Sequence, residues 1–456
     1  MKKIVLILAV SLSGCTVTPG QDTPTRARIA ESSLPPMKSF ARPRPAVPAM
    51  SNANIAADFM SLHFQLESGR DLPTFTRFET PITVRVTGKP PASLNADLRR
   101  LLDRLRTEAR IDIREVSGGT ANVTIEAVSR GDIRRVLPDA ACFVVPNVSS
   151  LAEFRRDRRK PKTNWSELEK RERLGIFLPY DASPQEVRDC LHEELAQALG
   201  PLNDLYRLPQ SVFNDDNVHT VLTGFDMLIL RVTYAPELKS GMNYDQVASR
   251  LPAILNRLNP SGRSVPKRQV GPTPRSWVKN VQTALGPGAS ASARRNAAAS
   301  ALITAQSQGW TDHRRAFSHY LVGRMNQPVN PAEAQKHFSA AFSYLERTPG
   351  TDLHRAYITT QTAAYAILRG DGASALTQIE PSIEAAQQGE NAALLATLML
   401  LKAEALELNG KTDEARTVRL DSLGWARYGF GSDWAVRAKM KEIAGLNPGR
   451  RRKAEL

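Results

Sequence analysis

The side chains of this 456-residue chain that could do chemistry gather in Val187–Asp216, which reads VRDCLHEELAQALGPLNDLYRLPQSVFNDD. At about 100° per residue, Val187, Cys190, Leu191, Leu195 and Ala198 fall on one apolar helix face, with Glu194 in its middle. Burying an unpaired carboxylate costs on the order of several kcal/mol, so Glu194 must be partnered, protonated or turned towards a cleft. Apolar surroundings raise a carboxyl pKa, which would suit Glu194 to acid/base work. Asp204 is the best candidate for the second carboxylate that a hydrolase needs. Gly200-Pro201 stops the helix. The loop beyond it offers Asn203, Asp204, Asn214, Asp215 and Asp216, oxygen ligands that suit calcium or magnesium better than zinc.

The elements that must position this stretch begin near Ala53. Ile55, Phe59, Leu62 and Leu66 have helical spacing, whereas Ile82, Val84 and Val86 alternate as a strand. Asn95–Glu108 reads as an amphipathic helix with Leu98, Leu101, Leu102 and Leu105 inward. Strands follow at Ile111–Ile113, Val123–Ile125, Ala141–Val145 and Leu174–Leu178. The chemistry-bearing helix then starts at Ser183, where Ser183-Pro184-Gln185-Glu186 resembles a capping box. Leu222–Tyr234 and Tyr244–Leu258 read as two more helices. The fold class is therefore α+β over residues 51–258. Within it, FRRDRRKPK at Phe154–Lys162 is either an anion-binding loop or a solvated one.

Residues 259–290 are proline-dotted and linker-like, and from Ala291 to the end the composition turns Ala-rich and helical. AYAILRGDGASAL at 364–376 is echoed by AEALELNGKTDEA at 403–415, placing Gly370 on Gly410 and Ala375 on Ala415 at an offset of 40. Helix–Gly turn–helix with small residues at the crossing resembles a tetratricopeptide-type repeat, and 291–456 reads as an all-α repeat region that engages a protein partner.

The first residues, MKKIVLILAVSLSGC, resemble a bacterial lipoprotein signal: a basic start, a short apolar run, then Leu12-Ser13-Gly14-Cys15 as the lipobox. The resemblance implies removal of residues 1–14, acylation of Cys15, and anchoring to the lipid membrane. Thr16 in second place points to the periplasmic face of the outer membrane. Residues 15–50, rich in Pro, Ser, Thr and Arg, read as a tether. The formal net charge of +15 falls to +13 on loss of Lys2 and Lys3, and on an exported chain it serves either solubility alone or contact with lipid phosphate or cell-wall polymer rather than nucleic acid. Of the three cysteines, Cys142 and Cys190 remain to form a disulfide in an oxidising compartment.

Aligned on Gly200, the helix is similar to the metzincin zinc-peptidase motif H-E-x-x-H-x-x-G-x-x-H. In that register the three zinc-ligand positions hold Glu193, Gln197 and Asn203, Glu194 takes the general-base position, and Phe213 stands for the methionine of the Met-turn. The order of strand, helix, strands and active-type helix also resembles that family, which implies a mixed sheet. The histidines that hold zinc are absent, and His192 cannot start the motif because Ala196 stands four residues on. Three readings stay open: a dead peptidase fold kept for binding, with no cofactor; a calcium site formed with Asp204, Asn214, Asp215 and Asp216; and a metal-free hydrolase of peptide or peptidoglycan using Glu194. Residues 54–245 further resemble a proteobacterial lipoprotein family without assigned function, through FMSLHFQLESGRDLPTFTRFETPITV, CLHEELAQALGPLND and SVFNDD.

Overall fold

The computed structural model describes residues 32–40, 48 and 50–450. The signal segment and Cys15 lie outside them. The chain opens with α1 (Asn52–Phe64), β1 (Ile82–Gly88), α2 (Leu94–Thr107), β2 (Ile113–Glu115), β3 (Val123–Val128) and a short α3 (Arg130–Arg134). It continues through β4 (Phe143–Pro146), α4 (Leu151–Asp157), β5 (Leu174–Pro179) and α5 (Pro184–Leu199). The strands form one sheet in the order β2-β1-β3-β5-β4, parallel except for β4, which runs antiparallel to β5. All six residues of β5 are buried, as expected of a strand covered on both faces. Helices α2 and α5 lie against this sheet and share one hydrophobic core with α1.

Beyond α5 come α6 (Gly224–Thr233), α7 (Tyr244–Ala248) and α8 (Leu251–Leu258). The single helix expected over Tyr244–Leu258 is broken, because Pro252 sits in the first turn of α8 and cannot continue α7. The stretch expected as a linker carries α9 (Arg275–Leu285), whose Trp277 is fully buried and gives its indole N–H to Ser318 Oγ at 2.9 Å. Its prolines mark the approach to a packed helix rather than a free connection.

Helices then run without strands: α10 (Ala291–Ser307), α11 (His313–Asn326), α12 (Pro331–Glu346), α13 (Asp352–Leu368), α14 (Gly372–Gln388), α15 (Ala392–Leu408), α16 (Thr412–Phe430) and α17 (Asp433–Ala444). The internal echo marks α13–α14 and α15–α16. Gly370 and Gly410 turn both pairs in the left-handed region, at φ 79° and 77°, and Ala375 and Ala415 are fully buried at the crossings.

Part of the expected tether is packed. Leu34 is buried with Leu423 and Val436, Phe40 stacks on Trp425 with ring centroids 4.5 Å apart, and Lys38 pairs with Asp421. Gly424 permits this approach, since a Cβ there would lie 2.7 Å from Lys38 Cγ.

Candidate functional site

Ser183 caps α5 by accepting a hydrogen bond from the Glu186 N–H at 3.2 Å. The reciprocal half of the expected capping box is not made, and the Glu186 carboxylate instead receives Arg130 Nη2 at 2.7 Å. At the far end, buried Arg171 donates to the carbonyls of Gln197 and Gly200. A guanidinium there satisfies carbonyls left over by the last turn and complements the helix dipole. Burial lowers its pKa to about 10, so it stays charged at neutral pH. Cys142, one residue before β4, is disulfide-bonded to Cys190 on α5. The helix is thus fixed at its start, middle and end.

The apolar face of α5 packs as its spacing requires, with Val187, Cys190, Leu191, Leu195 and Ala198 all buried. Glu194 is only 5 % exposed, and its Oε2 has no hydrogen-bond partner. Burial raises its carboxyl pKa well above the usual range, and the neighbouring Glu193 and Glu67 add to that. Half-buried Glu193 is pushed up to about 7 by burial, Glu67 and Asp215. Asp204 is raised strongly by burial, Glu193 and Glu67, and its buried Oδ1 is also unpartnered. Glu67 and Asp215 are raised by burial as well, although Tyr206 donates to Asp215 at 2.8 Å. Five carboxyl groups therefore share one neighbourhood, in which some must hold protons at neutral pH.

Glu67, in the turn after α1, is the residue that sequence reasoning missed. It lines the same cleft as Asp204 and Asp215, and its charge helps to raise the carboxyls of Glu193, Glu194 and Asp204. Only its place within one of the quoted family-like segments could have drawn attention to it. Asn203 gives its side-chain amide to Ser61 O at 3.0 Å. Glu193, Glu194 and Asp204 share the charge neighbourhood of Glu67, while Asn203 is tied to the backbone of α1.

The Asn/Asp loop divides, and the proposed calcium set is not assembled. Asp215 faces the cluster, but Asn214 Nδ2 bonds Leu208 O at 2.9 Å, and Asp216 lies 2.9 Å from His354 Nε2. Asp215 lines the cleft beside Asp204, whereas Asp216 lines a separate cavity beside His354. Among the described residues, no group of three or more His, Cys, Asp or Glu could hold a metal ion.

The nearby imidazoles are also committed. His63 is bonded at both ring nitrogens, to Phe59 O and Thr233 Oγ1, each at 2.9 Å, and burial lowers its pKa to about 3. His192 Nδ1 accepts the Leu222 N–H at 3.1 Å. The donor set does not fit zinc. Phe213 is fully buried in the core shared with α5, and its carbonyl accepts the Leu205 N–H at 2.8 Å.

A cleft of about 720 Å³ opens beside the cluster, with Glu67, Asp204 and Asp215 on one wall and Arg275, Lys279 and Gln282 of α9 on the other. The basic stretch at Phe154–Lys162 lies elsewhere and is half helical. Its Asp157 is buried and paired with Arg156, Lys160 and Lys162, whose hydrogen bonds hold its carboxyl below the usual range.

No curated protein and no solved structure matches the chain. Residues 52–253 match a family model described as a protein of unknown function, DUF2927, so a DUF2927 domain covers the sheet, α5 and the acidic cluster together.

Proposed function

We propose that the protein is an envelope lipoprotein anchored through acylated Cys15, on the periplasmic face of the outer membrane, and that it works as a non-catalytic binding module. In this reading the sheet, α5 and the Gly200 turn are a degenerate metzincin-like frame, a resemblance supported by the order of strand, helix, strands and active-type helix. The observation that carries it is the fate of the zinc-ligand positions. Glu193 stands among like charges, Gln197 is a buried amide, and Asn203 bonds the backbone of α1. The cleft beside them takes an amine-bearing ligand, a peptide or a cell-wall stem peptide, because a cation relieves crowded carboxylates. The repeat helices hold a protein partner, and nucleic acid plays no part.

A second reading is favoured by one observation, the unpartnered buried oxygens of Glu194 and Asp204. A protonated acid beside a second carboxyl is the pairing that a metal-free hydrolase of peptide or peptidoglycan would use. Incubating the full chain with casein and with isolated peptidoglycan tests both. The binding reading expects sedimentation with peptidoglycan, weakened in a Glu67→Gln/Asp215→Asn variant, and no turnover. Turnover that disappears in Glu194→Gln would overturn it in favour of the hydrolase.

A further inference from the structure

The cleft that holds Glu67, Asp204 and Asp215 is also lined by cations. Arg275 and Lys279 stand four residues apart on α9, and so on one face of that helix. A third cation of the cleft, Arg207, is committed to Asp58 Oδ1 at 2.8 Å and Ser61 Oγ at 3.0 Å. Arg275 and Lys279, both exposed, form no ion pair among the described residues, although carboxylates line the same cavity. Opposite charges that share a cavity and stay out of contact leave a gap that a group carrying both charges fills.

The backbone seats one of these cations. Gly69, in the turn after α1, lies in the left-handed region at φ 79°, and a Cβ there would collide with the Arg275 guanidinium. The bare glycine therefore lets the guanidinium rest on the wall of the cleft, two residues along the chain from Glu67. A guanidinium fork matches a carboxylate bidentately, and Lys279 adds a second positive charge on the same helix face.

Asn203 points to the other end of such a ligand. It is 6 % exposed and lines the cleft. Its Nδ2 donates to Ser61 O, which can only accept, so the orientation of the amide is fixed. Its Oδ1 accepts no bond among the described residues and, unlike the sealed Oδ1 of Asp204, keeps contact with solvent. The Glu67 and Asp215 side chains are exposed beside it. An ammonium carries three donors and no acceptor, which suits one amide oxygen and two carboxylates.

We infer that the cleft binds a short peptide by both of its free ends, the carboxylate on Arg275 and Lys279 and the ammonium on Glu67, Asp215 and Asn203 Oδ1. This rests on the amine site proposed above and adds the carboxylate to it. The volume of about 720 Å³ exceeds what a single amino acid fills, and three extended residues span about 10 Å. Helix α9 begins at Arg275, beyond the family-matched residues 52–253, so the grip on the carboxylate comes from outside the DUF2927 domain.

Calorimetric titration of the full chain with tri-alanine, its C-terminal amide and its N-acetyl form tests this. Tri-alanine is expected to saturate at one per chain, and each blocked form to bind about tenfold more weakly. Arg275→Gln/Lys279→Gln, at two exposed positions, should bring tri-alanine to the level of the amide and leave the amide unchanged. An amide that binds as tightly as tri-alanine overturns the carboxylate grip while the amine site stands. An N-acetyl form that binds as tightly removes the amine site, and the two-ended grip with it. Absence of saturable binding, or unchanged tri-alanine binding in Arg275→Gln/Lys279→Gln, also overturns the assignment.

Discussion

Replacing Glu193 by Gln should stabilise the protein, and only above mildly acidic pH. Its carboxyl stands at about 7 in the folded chain against an ordinary 4.5, raised by burial, Glu67 and Asp215. Below the ordinary value both states hold the proton and the crowding has no effect on stability. As pH rises through the window to about 7, the unfolded chain releases its proton first, and stability falls. The gap sets a ceiling of about 3 kcal/mol, at about 1.4 kcal/mol per pH unit. Glu193 keeps some solvent contact, so screening reduces this to about 2 kcal/mol. Gln has nearly the same shape and no charge, so it escapes the loss. Denaturant unfolding at about pH 5 and about pH 8.5 should show the two proteins alike at the lower pH and Glu193→Gln the more stable at the higher. Curves that stay parallel across that range would refute a crowded, partly protonated cluster.

Three further outcomes follow from the packing of the chain. Cys142→Ser should lower stability by about 4 kcal/mol in the chain-entropy view of the loop closed with Cys190, and equilibrium unfolding reads this directly. Arg188, 1 % exposed, pairs with buried Glu390 at 3.1 Å, joining α5 to the loop before α15. Arg188→Met should cost about 3–5 kcal/mol by leaving Glu390 unpaired, and Arg188→Met/Glu390→Met should recover most of it in a double-mutant cycle. Burial lowers His219 and His313 to about 4. Their folded values lie below the unfolded ones, so stability present above about pH 6.5 is lost as pH falls towards 4. Proton resonances of both rings should stay unshifted down to about pH 5.

Periodicity carried most of the α+β part. The alternation of Ile82, Val84 and Val86 and the leucine spacing of α2 are strong local signals, and both elements form where those signals lie. The disulfide was legible because two cysteines remained for one bond. Tertiary partners were not legible. Nothing near Arg171 states that it will cap α5, and nothing near Glu67 states that it will line a cleft with Asp204. The Asn/Asp loop was misread because composition cannot show that Asp215 and Asp216, adjacent in sequence, face different cavities. Proline content likewise concealed α9, which packs through buried Trp277, Val281 and Ala284.

The central claim of the proposed reading is that Glu193, Gln197 and Asn203, on and after α5, hold no zinc. Elemental mass spectrometry of the full chain, purified without chelators and again after zinc addition and desalting, tests it most directly. The account predicts far less than one zinc per chain in both samples and no rise in unfolding temperature with added zinc. One tightly held zinc per chain, lost together with that stabilisation in Glu193→Gln, would contradict it.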